Sequence, residues 1–356
     1  TSILECGFLW GNTGYYRYDQ GFRPTFPGED TFTGQFIHPQ FWPSDFDGAG
    51  KNIVVIGSGA TAMTLVPALA TNANKVVLLQ RSPTYVASRP DVDRIAQLLM
   101  RLLPTRFAYG AIRIKNVIGS TFIYQLSRRR PDAVRTKLLD AVRDALPEGF
   151  DTATHFSPRY NPWDQRLCLI TNGDLFEQIS AGHVEMVTDT VDRIERDHIV
   201  LVSGRTISAD IIVTATGLEL QFLGGMELIV DGSTIDLADT VAYKGIMVCG
   251  VPNLAMTFGY TNASWTLKAD LVCEYVCRLL NYMKRHGHTK CMPHNSDPTL
   301  KEEPWVSFSS GYIQRALPHQ PKQGSRRPWK LYQNYALDLL SLRHGRLRDE
   351  AMTFTR

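Results

Sequence analysis

An α/β fold follows from three observations on the sequence. The apolar strand Ile53-Val54-Val55-Ile56 runs directly into the turn Gly57-Ser58-Gly59-Ala60-Thr61-Ala62, an apolar helix and a second strand, Val76-Val77-Leu78-Leu79. That order is the start of a βαβ unit. Strands return over 151–217 and end in Ile211-Ile212-Val213-Thr214-Ala215-Thr216-Gly217. Between them, residues 91–150 switch to helical spacing, so a helical insertion interrupts the unit.

Along the chain, residues 7–14 read as a short apolar strand ending in Thr13-Gly14. A loop rich in Tyr, Pro and Gly follows. It carries Phe32-Thr33-Gly34-Gln35-Phe36-Ile37-His38-Pro39-Gln40-Phe41-Trp42-Pro43, which spells F-x-G-x-x-x-H-x-x-x-W-P. The helix after Gly59 contains Pro67 and is expected to kink there. In the insertion, Ile95, Leu98, Leu99, Leu102 and Leu103 share one helix face, and a second stripe runs Phe107, Ala111, Ile114, Ile118, Phe122. Arg94, Arg101, Arg106, Arg113, Lys115 and Arg128-Arg129-Arg130 decorate both. The plain reading is a helical subdomain packed on the α/β core. The alternative is a basic amphipathic surface in peripheral contact with an anionic membrane. A β-rich stretch near 226–258 precedes a helix over about 264–286. Its stripe is Leu267, Leu271, Tyr275, Leu279 and Met283, and Lys284-Arg285-His286-Gly287 stops it.

A length of 356 residues allows two domains or one large α/β unit, and 44% hydrophobic with 21% charged residues is ordinary for a globular protein. The net charge of +3 excludes a global attraction to nucleic acid. Six cysteines without paired spacing read as reduced thiols in a cytoplasmic protein. Cys273 and Cys277, one helical turn apart, read as core packing. His286, His288, Cys291 and His294 fit no standard metal-ligand spacing, and no metal is expected. The chain opens on Thr1-Ser2-Ile3, which looks like a cut edge. Oligomeric state is left open.

The glycine-rich turn has the chemistry of a dinucleotide site. Gly57 permits the tight turn, Gly59 lets backbone approach a pyrophosphate, and Ala62 allows close helix–strand packing. The helix N-terminus then offers free N–H groups and a positive dipole end to the phosphates. The second strand ends Gln80-Arg81-Ser82, where a binder of NAD usually carries an acid. A guanidinium there suits a 2′-phosphate, so NADP is favoured over NAD.

These segments occur in a known order: the fingerprint at 32–43, the turn at 57–62, Gln80–Tyr85, Asn161-Pro162-Trp163-Asp164-Gln165-Arg166-Leu167, Thr214–Gly217, Gly259–Asp270 and Pro321–Ser325. From about residue 11 to near the C-terminus the chain resembles the type I Baeyer–Villiger monooxygenases, closest to the mycobacterial ethionamide-activating branch and its paralogues. The resemblance implies a flavoprotein with two dinucleotide-binding domains that uses FAD, NADPH and O2 to oxygenate ketones to esters or lactones. The same oxidant oxygenates sulfur. It places the catalytic arginine at Arg166, a cation that stabilises negative charge without giving up a proton. It implies that His38 and Trp42 relay nicotinamide position rather than move protons, and that Thr216-Gly217 belongs to a hinge strand. It also sets Asn262 and Trp265 before a helix whose N-terminus faces the flavin; simple capping by Ser264 is the plainer reading of that stretch, and the two are compatible. Two readings stay open beside it: an N- or S-oxygenating flavin monooxygenase, against which Trp42-Pro43 argues, and a non-catalytic NADP-binding protein.

The family begins with a strand–GxGxxG–helix for FAD, which the 12 residues before Thr13 do not supply. The expected division is therefore 1–45 as a remnant of the FAD domain with its linker, 46–217 as the NADP-binding domain, and 218–356 as the C-terminal part of the FAD domain. On that division the Rossmann-like NADP domain is intact and the FAD domain incomplete, in a fragment or decayed frame with weak FAD affinity and poor solubility.

Overall fold

The computed structural model describes residues 2–165 and 167–356. The chain forms two compact units, one from residues up to Tyr18 together with Glu219–Arg356, the other from Asp19–Leu218.

In the first unit, strand β1 (Leu9–Gly11) pairs in parallel with the strand Leu254–Met256. The second unit is built on a parallel sheet. Its strands are β2 (Gln35–Ile37), β3 (Asn52–Ile56) and β4 (Lys75–Gln80), with two further strands from later in the chain. Helix α1 (Ala60–Leu69) joins β3 to β4 and runs through Pro67 as one element. The proline lies in the last turn, so the expected kink is replaced by the helix simply ending. After β5 (Val86–Arg89) come the insertion helices α2 (Arg94–Leu102), α3 (Thr105–Arg129) and α4 (Pro131–Ala145), and the short α5 (Thr152–Phe156). Strand β6 (Cys168–Thr171) pairs in parallel with β5, and α6 (Asp174–Ser180) leads to β7 (Val184–Thr188). An antiparallel meander, β8 (Val191–Ile194), β9 (His198–Leu201) and β10 (Thr206–Ser208), precedes β11 (Ile211–Thr214).

The sheet order is β2-β11-β3-β4-β7, and every neighbour pair is parallel. Both faces are covered, which is why β3 and β4 read as unbroken apolar runs rather than alternating ones. Ile53, Val55 and Leu78 pack with Ala62, Met63, Val66 of α1 and Leu175 of α6. Val54, Ile56, Val77 and Leu79 face the other way, against Ile194, Ile199, Leu201 and Ile207 of the meander.

Two sequence expectations shift here. Residues 19–45 join the dinucleotide unit instead of standing with residues 1–18, because β2 adds to the sheet edge as the parallel partner of β11. The insertion reaches the α/β core through α4, which packs on β5 and α5, whereas α2 packs on α3. Ile95, Leu98 and Leu102 of the first stripe and Phe107, Ile114, Ile118 and Phe122 of the second, which the plain reading packs on the core, are exposed.

The first unit centres on α7 (Trp265–His286), stopped by Gly287 in the left-handed region. Leu267, Leu271, Tyr275, Leu279 and Met283 are buried as their spacing predicts, while Cys273 and Cys277 lie on the exposed side and not in the core. Among the described residues, Cys6, Cys249, Cys273, Cys277 and Cys291 form no disulfide. Ser264 makes no side-chain cap to α7; its hydroxyl bonds Thr266 Oγ1 at 2.8 Å. The Arg278 guanidinium donates to the carbonyls of Leu342, Arg343 and Gly345, fixing the C-terminal segment onto α7.

Burial in the sheet sets a stability prediction. Leu78 is 0% exposed between two strands, so Leu78→Ala should cost about 3 kcal/mol. Val202, 66% exposed in the same unit, should change stability by no more than about 0.5 kcal/mol when cut to Ala. Urea unfolding of both variants checks the contrast, and equal losses would contradict this layering.

Candidate functional site

The turn after β3 is shaped by one close approach. Gly57 has φ +149°, and a Cβ placed on it would fall 2.3 Å from the Ala215 carbonyl oxygen. Its N–H donates to Leu79 O at 2.9 Å, which holds the turn against β4. Gly59 caps α1 with extended backbone, and among the described residues nothing beyond its chain neighbours lies within 4 Å of where its Cβ would be. Open space therefore stands over the Gly59 backbone. Ala62 is fully buried, giving the close helix–strand contact that the spacing requires. The first turn of α1 has no side-chain cap and no acidic residue, and Gly59, Ala60 and Thr61 are exposed. Its N–H groups are thus free to donate to an anion.

At the end of β4 the two candidate residues part. Arg81 is exposed beside the turn. Gln80 is buried, and its amide donates to His155 O at 2.7 Å and Thr188 Oγ1 at 2.9 Å. That ties β4 to α5 and β7, so the side chain shapes the site's wall instead of pointing out of it.

The fingerprint segment packs on the same strand ends. Thr214 Oγ1 donates to Ile37 O at 3.3 Å, and Thr216 Oγ1 to Phe22 O at 2.6 Å. Phe22 N–H returns a bond to Gly217 O at 3.1 Å, and Gly217 has φ +115°. His38 caps the short turn Pro39–Phe41, its Nδ1 accepting from Gln40 N at 3.2 Å. The acceptor role puts the proton of the neutral ring on Nε2, which is buried without a hydrogen-bond partner among the described residues. Gly21 lies flat against the ring, leaving no room for a side chain there. Burial holds the His38 pKa below its usual value; the Gly217 backbone pulls upward and the Arg23 charge adds to the lowering. Trp42 packs on Phe46 at 4.7 Å and on the α1 side of the sheet. Residues 214–217 thus meet both the glycine turn and the fingerprint.

Arg166 lies outside the described residues. The segment before it is held by groups that the sequence reading missed. Trp163 has φ +70°, Asp164 accepts from Asn161 N–H at 3.1 Å, and Arg128 of α3 pairs with Asp164 at 2.6 Å. Arg135 of α4 donates to Tyr85 Oη at 2.8 Å and to Tyr160 O at 3.0 Å. Nothing in the sequence announces the Arg128 and Arg135 contacts, which join residues far apart in the chain.

In the first unit, Asn262 lies in the loop that leads into α7, and Trp265 is the first residue of that helix. Asn262 Nδ2 donates to Gln333 O at 2.9 Å, and the Thr261 N–H to Gln333 Oε1 at 3.0 Å. Gly259 lies under the Trp265 ring, where a Cβ would come within 2.2 Å of it, and Tyr15 stacks on that ring at 4.6 Å. Tyr260 Oη and Lys268 Nζ both bond Asp338 Oδ2, at 2.8 and 2.9 Å, in a fully buried cluster. The loop is clamped at both ends, and the α7 N-terminus carries no acid in its first turn. An electron-rich group placed there would be favoured by the helix dipole.

Known proteins resemble the chain at three levels: family, sequence and fold. The flavin-binding monooxygenase-like family matches residues 9–247. The "FAD-containing monooxygenase EthA" of Mycobacterium tuberculosis H37Rv is 52% identical over 356 residues, covering 100% of this chain and 73% of that protein. The "Probable FAD-binding monooxygenase AlmA" of Acinetobacter baylyi is 46% identical, covering 98% of this chain and 70% of its own. In fold, the chain is similar to a steroid monooxygenase solved with NADP, with TM-score 0.71 at 18% identity over 98% of this chain and 75% of that one. OTEMO with FAD and NADP gives TM-score 0.69 at 17% identity over 100% and 77%.

The His38 environment predicts an acid-side instability. A folded-state pKa below the ordinary 6.5 means that the unfolded chain binds more protons between the two values. The stability this group contributes is complete above that ordinary value and is lost as pH falls through the window beneath it. His38→Gln should flatten part of the acid limb below about pH 6.5 and leave the neutral range unchanged. His155, also lowered by burial, keeps the remainder. Thermal melts from pH 5 to 8 read this directly.

Proposed function

The chain belongs to the flavin-binding monooxygenase-like family, and on that premise we propose an FAD- and NADPH-dependent oxidoreductase of Baeyer–Villiger type. Its substrates are ketones, converted to esters or lactones with one oxygen atom from O2, and sulfides or thioamides, oxygenated at sulfur as in prodrug activation. The observation that carries this reading is the placement of the 32–43 fingerprint. It forms β2 and the His38 turn, bonded to residues 214–217 beside the Gly57–Ala62 turn. Relatives named as FAD-containing and FAD-binding monooxygenases support the flavin.

The described residues fit both cofactors. Open space over Gly59 and the uncapped N-terminus of α1 suit the pyrophosphate of NADPH, with Arg81 for the 2′-phosphate. The loop of Asn262, with Trp265 at the α7 N-terminus, suits the electron-rich edge of a flavin. Flavin reduced by NADPH supplies the oxidant from O2 when bound. In this reading Ser58, Gly59, Ala60 and Thr61 hold phosphates through backbone N–H groups, and Gly57 and Ala62 keep the helix close enough to do so. Arg166 supplies a fixed positive charge for the oxyanion that develops on the substrate carbonyl, and holds its proton throughout. His38, kept neutral, positions the Gly217 backbone with Trp42 behind it and relays no proton.

Two measurements follow. Arg81→Gln should raise the Kd for NADPH about tenfold, the scale of one lost charge-assisted contact, while NADH is little affected. A loss equal for both nucleotides would remove Arg81 from 2′-phosphate recognition. For the reaction, purified chain reconstituted with FAD is given NADPH and a ketone, and ester is assayed beside Arg166→Lys. Ester formation that falls at least about a hundredfold in the variant, with NADPH affinity kept, is the expected result. Sulfur or nitrogen oxygenation without ester would favour the sister chemistry. NADPH binding without flavin retention would leave a nucleotide-binding protein.

A further inference from the structure

Between Arg94 and Arg130 the chain holds eight Lys and Arg and no Asp or Glu. The same span carries the largest run of exposed apolar side chains. On α2, Ile95, Leu98 and Leu102 are 57, 54 and 69% exposed; on α3, Phe107, Ile118 and Phe122 are 68, 63 and 64% exposed. Their spacing sets each group on one helix face. Arg94, Arg101 and Arg106 are themselves exposed and flank these faces. Lys115 pairs with Asp93, the residue that caps α2, so the two helices are fastened to each other at that end. α4 carries the packing on β5 and α5, which leaves the α2–α3 face without a protein partner among the described residues.

We propose that this α2–α3 face docks on an anionic lipid bilayer surface. An interfacial helix needs an apolar face to enter the acyl boundary and a cationic margin to meet lipid phosphates, and this pair supplies both. Among the described residues no helix is long and apolar enough to cross a membrane, so the proposed contact is with the bilayer surface. Charge argues against a second copy as the cover. A two-fold contact through a segment with no acid would bring arginines against arginines. It argues equally against a basic or neutral protein groove, because nothing in either would answer the arginine margin.

The test uses the full chain with vesicles of phosphatidylcholine alone, and of phosphatidylcholine mixed with phosphatidylglycerol, at low and high salt. Cosedimentation is expected with the anionic vesicles only, weakening as salt rises. Two variants separate the contributions. Phe107→Ser with Ile118→Ser should abolish cosedimentation, and Arg94→Gln with Arg101→Gln and Arg106→Gln should lower the partition coefficient roughly fivefold per charge removed. All five positions are exposed, so circular dichroism should show unchanged folding. Three results would overturn the proposal: wild-type chain left in the supernatant with both vesicles; cosedimentation unaffected by both variants; or self-association without vesicle binding that Phe107→Ser with Ile118→Ser dissolves, which would assign the face to a second copy.

Discussion

The dinucleotide unit depends on the contact between the Gly57 backbone and the Ala215 carbonyl. β3 and β11 are adjacent parallel strands, and their C-terminal ends must converge for the turn to enter α1. Any side chain at Gly57 would lie 2.3 Å from that oxygen, so the convergence is available only to glycine. Once it is made, residues 214–217 become common ground. The turn lies on one side of them, and the β2 segment with His38 bonds to them from the other. The C-terminal ends of parallel strands are where such sheets open a crevice, and here three separate stretches of sequence are brought to that edge.

The legible part of this architecture was the part with local causes. A strand, a Gly-rich turn and a helix within a few residues of one another specify backbone geometry without help from the rest of the chain, and Gly57, Gly59 and Ala62 stand as their spacing requires. The burial of Gln80 could not be read that way. Its partners lie at His155 and Thr188, and only the parallel pairing of β4 with β7 brings them near. Arg128 and Arg135 were hidden for the same reason. The exposure of Cys273 and Cys277 was legible and misread: two residues beyond Leu271 and Tyr275 on a helix is the opposite face from the buried stripe. Periodicity also gave the shared faces of α2 and α3, but not what they face. A stripe of leucines looks the same whether it meets a core or solvent.

Buried charge gives the first unit its definition. Lys268 and Asp338 are both nearly inaccessible, with Tyr260 donating to the same carboxylate oxygen. Lys244, Asp349 and Tyr243 repeat the arrangement at the other end of α7's core. Such pairs add little net stability, since desolvation offsets most of the attraction. They do penalise every arrangement in which one partner is buried alone. The loop from Gly259 to Trp265 is therefore confined from Asp338 and Gln333 together, while the α7 N-terminus behind it stays uncapped and positive.

The helical insertion joins these themes, because its two sides obey different constraints. On the inner side α3 and α4 spend single arginines on specific acceptors: Arg128 on Asp164, Arg135 on Tyr85 and Tyr160. Each fixes the approach to the Asn161–Gln165 segment, Arg128 against a carboxylate and Arg135 against neutral oxygens. On the outer side Arg94, Arg101 and Arg106 have no acid paired with them among the described residues, and the hydrophobic residues between them have no core. A segment with cations on both sides and carboxylates only at its ends cannot neutralise itself. The inner side resolves that by pairing with the α/β unit. The outer side resolves it only against a surface that is at once apolar in depth and anionic at its boundary, and a bilayer with acidic lipids has that profile.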